Sequence, residues 1–160
     1  MARRTRLASP LGVAAICLIA LGPAAAAEWE SYASFTYQRD SIALPDGRTI
    51  TTFTNAGAYQ NVWPDRTTAG TLTCSGKTER ATDGVEVDIY CEHVDADGDR
   101  YYQHSHRSRS DPAGGAGHEV GLGGTGKHAG REWTCTYDVT FVSDSWAVVR
   151  AKCSGDPPTT

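Results

Sequence analysis

The sequence predicts an all-β fold, an eight-stranded antiparallel β-barrel with two disulfides. Three observations predict it: short strand-like runs of period two, Asp-Gly dipeptides between them, and cysteines spaced for neighbouring strands. No window of a dozen residues repeats apolar positions at three and four, so no amphipathic helix is expected. Closing eight strands into a barrel also removes the two sheet edges that would invite aggregation.

A leader precedes the strands. Arg3, Arg4 and Arg6 form a basic start, Leu11 to Leu21 is apolar, and Pro23 with Ala24 to Ala27 supplies small residues. This order describes a secretory signal, too short for a spanning helix. Cleavage near Ala27 makes 1–27 a signal peptide, 28–155 the barrel domain and 156–160 a flexible tail. The mature 133 residues carry 12 basic and 19 acidic groups, a net charge of −7, and four of the five cysteines. Such a charge, without a basic run, argues against nucleic acid and anionic membranes as partners. No second apolar stretch approaches twenty residues, so membrane insertion is not expected. The expected destination is the periplasm or the outside, where disulfides persist.

The first two runs, 30–39 and 48–60, flank Asp46-Gly47, a dipeptide suited to positive φ in hairpins. The run 68–78 meets 85–94 across Asp83-Gly84. In 85–94, Val85, Val87, Ile89, Cys91 and His93 share one face, and Glu86, Asp88, Tyr90 and Glu92 the other. Asp97-Gly98 leads into 100–109. The sixth run, 118–123, lies within a Gly-rich stretch from Pro112 to Gly130. Runs 132–142 and 145–153 meet at Ser143-Asp144-Ser145.

Four cysteines permit three pairings, and turn geometry ranks them. A four-residue loop at Ala81 to Gly84 sets Arg80 opposite Val85 and therefore Cys74 opposite Cys91. A three-residue loop at Ser143 to Ser145 sets Val142 opposite Trp146 and Cys135 opposite Cys153. The favoured bridges are Cys74–Cys91 and Cys135–Cys153. No C-x-x-C is present, so a structural role is expected rather than a redox one.

Several motifs point elsewhere and lack their context. Gly121-x-Gly123-x-x-Gly126 fits a dinucleotide fingerprint, but a strand follows where a helix N-terminus should cradle phosphate. Asp95 to Asp99 resembles a calcium loop with its glycine misplaced, and a hairpin turn explains it. No serine sits in a nucleophile elbow. No cofactor is expected. Taking Asp97-Gly98 as a two-residue turn puts His93 opposite Tyr102 and Cys91 opposite His104. His93, Tyr102, His104 and His106 then face inward as ligand-pocket candidates, the three histidines doubling as metal-ligand candidates. A slip of one residue would reverse that orientation. The four tryptophans are expected in core or rim, with Trp63-Pro64-Asp65 able to cap the barrel.

Gly123-Gly124-Thr125-Gly126-Lys127-His128-Ala129-Gly130 resembles the G-G-T-G-K-[FY]-x-G segment of the allene oxide cyclase and dirigent-like superfamily of small barrels. Exported bacterial relatives of unassigned function resemble the chain further, in Cys74-Ser75-Gly76, in Cys91 ahead of Asp95 to Asp99, and in Cys135, Tyr137, Trp146 and Cys153. The resemblance covers roughly residues 48–153 and implies an eight-stranded antiparallel barrel with a small central cavity. Gly123, Gly124, Gly126 and Gly130 are expected where a barrel strand bends sharply. The pocket acids of those enzymes have no matched positions here, so no catalytic residue carries over. Three functions are expected in order: binding a small apolar or aromatic molecule in the barrel, cyclising or isomerising a reactive one there, or acting through the outer surface with a filled lumen.

Overall fold

The computed structural model describes residues 26–109 and 115–159. Most of the leader, residues 110–114, which include the start of the Gly-rich stretch at Pro112, and Thr160 lie outside the described residues. Eight strands follow in order: β1 (Ala27–Ala43), β2 (Thr49–Val62), β3 (Thr67–Ala81), β4 (Gly84–Asp95), β5 (Arg100–Arg107), β6 (Gly117–Gly124), β7 (Trp133–Ser143) and β8 (Trp146–Gly155). Each pairs antiparallel with the next, and β1 returns to β8 from Ala27↔Gly155 to Thr36↔Trp146. The expected closed barrel is what forms. One end, the mouth, carries the β1–β2, β3–β4, β5–β6 and β7–β8 connections. The other, the base, carries the remaining three and the starts and ends at Ala27 and Gly155.

Side-chain alternation sorts the chemistry. Val85, Val87, Ile89, Cys91 and His93 of β4 face the lumen, as their period of two predicts. Outward positions such as Thr71, Thr73, Ser75 and Lys77 of β3 are exposed and polar. The buried core gathers in the base half, around Trp29, Tyr59, Trp63, Leu72, Tyr101 and Trp133.

Both disulfides join the expected cysteines, with Cα–Cα distances of 4.1 Å. The loops reach those registers by different routes from the ones expected. Thr82-Asp83 is a two-residue turn, with Ala81 opposite Gly84, and it leaves Arg80 opposite Val85. Asp144-Ser145 is also a two-residue turn, and the extra residue is absorbed as a bulge between Phe141 and Ser143.

At Asp97-Gly98 the expectation fails. Asp95 N–H donates to Asp99 O at 3.0 Å and Gly98 N–H to Asp95 O at 3.1 Å, enclosing three loop residues, Ala96 to Gly98. Gly98 holds φ at 87°, the left-handed position of a three-residue hairpin loop. Pro45 to Gly47 repeats the geometry, with Gly47 also at 87°. The extra residue shifts β5 by one, so His93 faces Tyr101 and Cys91 faces Gln103.

Replacing Cys74 and Cys91 together by alanine should cost about 3 kcal/mol in denaturant unfolding, the chain-entropy value for a loop of this length. The strand signal in far-UV circular dichroism should survive, since backbone pairing across β3 and β4 does not depend on the sulfur bridge.

Candidate functional site

The base is closed by a polar chain beneath an aromatic plug. Asp95 is buried, and its Oδ1 accepts the N–H groups of Asp97 (2.9 Å) and Asp99 (3.1 Å) within its own turn. Its Oδ2 meets Lys127 Nζ at 2.9 Å and accepts from His128 Nε2 at 2.9 Å. Burial alone would raise this carboxyl, but the bonds from Lys127, His128 and Asp97 hold it at about 2. Lys127 also pairs with Asp97. The ammonium thus supplies the positive charge that the acidic turn needs.

The chain continues from His128. Arg131 Nη1 donates to its Nδ1 at 2.8 Å, and burial lowers the imidazole's affinity for a second proton. Arg131 is itself buried, donating through Nε and Nη2 to Asp156 O at 2.8 and 2.6 Å. Its guanidinium lies 5.9, 5.7 and 5.2 Å from the ring centroids of Trp29, Trp63 and Trp133. Trp29 and Trp63 stack at 4.2 Å, so Trp63 caps the base. The segment expected to hang loose is tied in here: Thr159 N–H also donates to Lys127 O at 3.1 Å.

Above the plug the lumen is open, a cavity of about 1030 Å³. Phe35, Phe53, Leu72, Val87, Ile89 and Val149 make its apolar wall, and Arg39, Arg80 and Arg109 stand toward the mouth. A polar floor runs along β4, β5 and β6. His93 is buried, stacked on Tyr101 at 4.3 Å and edge-on to Tyr59 at 4.9 Å, with no hydrogen bond to either ring nitrogen. Burial lowers its pKa to about 3. Ser105 Oγ donates to Glu119 Oε1 at 3.2 Å, and Gln103 Nε2 to Ser105 Oγ at 3.5 Å. Burial raises Glu119 to about 7 against the pull of Ser105 and Gln103. Across the lumen, buried Asn55 leaves Oδ1 without a partner.

Of the four inward candidates, only His93 is inside. Tyr102, His104 and His106 are on the outer wall, because the three-residue loop reverses every side chain of β5. His104 Nε2 meets Asp88 Oδ1 at 2.5 Å and stacks on Tyr90 at 4.5 Å. The same slip brings in Tyr101, Gln103 and Ser105. The expected histidine triad is therefore split by the wall, and among the described residues no group of three or more His, Cys, Asp or Glu is placed to hold a metal ion. Of the expected bend glycines, Gly123, Gly126 and Gly130 hold positive φ, and Gly124 ends β6 opposite Tyr101, where the β5–β6 register shifts.

No motif or turn in the sequence singles out Glu119. Its orientation follows from its pairing with Cys135, an inward cysteine. The β6–β7 connection is no tight hairpin, however, so the sequence held no turn from which to count that register.

These groups set opposing pH dependences. Folded Glu119 keeps its proton to about 7 against 4.5 when free, so stability falls as pH rises between those values, by about 3 kcal/mol. Folded His93 stays neutral down to about 3 against 6.5 when free, so stability falls as pH drops through that window. Asp95, at about 2 against 3.8, adds a further loss in acid. Wild-type stability should be nearly flat between about pH 4.5 and 6.5, where the first two oppose. Chemical denaturation of Glu119→Gln should show a rise with pH across that window, and of His93→Phe a fall. Profiles parallel to wild type would contradict these roles. Comparison with protein families, curated proteins and solved structures finds no match for this chain, so its chemistry is read from its own residues.

Proposed function

We propose that this is an exported barrel that binds a small apolar or aromatic molecule in its lumen. The observation carrying the reading is the cavity itself: about 1030 Å³, closed at the base, walled by Phe, Leu, Val and Ile, and floored by buried polar groups. Such a space suits a ligand of drug-like size, with apolar contact giving affinity and a few polar groups fixing orientation. An unfilled lumen counts against a purely external interaction module. The resemblance of Gly123 to Gly130 to the allene oxide cyclase and dirigent-like barrels favours the same kind of site. Two disulfides accord with export, and among the described residues no helix is long and apolar enough to cross a membrane.

A second reading, a cyclase or isomerase, draws on one specific feature. Glu119 keeps its proton near neutrality inside an apolar cavity, the condition a general acid requires. Binding remains the first reading because it needs only the cavity.

The test uses N-phenyl-1-naphthylamine, a neutral probe whose fluorescence rises in apolar surroundings. Wild type should bind it saturably. Val87→Trp, which fills the lumen, should weaken binding about tenfold or more, while Thr73→Trp, on the outer face of β3, should leave it unchanged. Equal binding by wild type and Val87→Trp, or none by wild type, would overturn the proposal.

A further inference from the structure

We propose that the lumen selects a neutral molecule that presents an acceptor oxygen, of the ketone or enone class, to the carboxyl hydrogen of Glu119. This rests on the binding function inferred above and names the polar group its ligand must carry.

The floor offers few ways to satisfy Glu119. Ser105 reaches one carboxyl oxygen and Gln103 is a second neutral donor beside it, and among the described residues no Lys, Arg or His lies within ion-pair distance of the carboxyl. A buried carboxyl without a cation stays protonated and becomes a donor. Burial indeed holds its proton to about 7. Among the described groups that face it from the neighbouring strands, the charged one is Arg107. From β5 come Gln103 and Ser105, with Arg107 further toward the mouth; from β7 come Cys135, in a disulfide, and Tyr137. From β4 comes His93, neutral down to about 3, and Tyr101 below is a buried phenol held well above its ordinary pKa by burial.

Other ligand classes fit less well. An amine would ionise Glu119 and leave an ion pair in an apolar cavity, where desolvation offsets much of the attraction. A carboxylate at the floor would meet Glu119 itself. A ketone oxygen accepts the Glu119 hydrogen at no charge cost, and its apolar body lies along Phe35, Phe53 and Val87.

The test pairs two fluorescent probes. 6-Propionyl-2-dimethylaminonaphthalene carries a ketone, and its emission moves to the red when the carbonyl is hydrogen-bonded; N-phenyl-1-naphthylamine has no acceptor oxygen. In wild type the ratio of ketone affinity to naphthylamine affinity should fall about tenfold from about pH 5.5 to about pH 8.5 as Glu119 ionises. Glu119→Gln, which keeps an N–H donor and cannot titrate, should hold the ratio constant. Glu119→Met should lower the ratio of ketone affinity to naphthylamine affinity about tenfold at about pH 5.5 and lose the red shift. A ratio independent of pH in wild type, or an unchanged ratio and emission in Glu119→Met, would overturn the proposal while leaving the binding function standing. Failure of both probes to enter wild type would overturn the two together.

Discussion

The architecture turns on the Asp95 carboxylate. One of its oxygens takes two N–H groups of its own turn and so defines the three-residue loop that sets the β5 register. The other takes Lys127 and His128, and through His128 it orients Arg131 among three tryptophans. One side chain thus decides two things: which residues of β5 look inward, and that the barrel is shut at that end. A hydrogen-bonded carboxylate in such a place is costly to disturb, because each lost partner leaves a buried polar atom unsatisfied.

Inside and outside follow different electrostatic rules. The outer wall carries ion pairs such as Arg150–Glu30 and Arg100–Glu92, exposed and therefore worth little individually. The lumen keeps His93 and Glu119 in their neutral forms around pH 6, because no counter-charge accompanies them. Neutral polar groups in an apolar tube make orientation by hydrogen bond affordable and charge expensive, which confines the chemistry available there.

The sequence disclosed the fold well and the site poorly, for one physical reason. Strand identity is insensitive to small differences in turn length: the loops at Thr82-Asp83 and Asp144-Ser145 are shorter than the sequence suggests, yet a tight turn and a bulge keep the registers that pair the cysteines. Lumen chemistry does not survive them, because a single residue exchanges Gln103 and Ser105 for Tyr102, His104 and His106. The third acidic residue of the Asp95 turn gave no hint that the loop had gained a residue, since Asp-Gly serves both two- and three-residue hairpins. Glu119 was hidden for a related reason, lying on a strand whose neighbours are reached through Gly-rich connections.

Ala27 and Gly155 pair beside the tryptophan plug, at the end opposite the mouth. Anything joined to the barrel ahead of Ala27 or beyond Gly155 therefore emerges from the shut face. A surface, a carrier or a fused domain held at either point leaves the open end of the lumen facing away from its support.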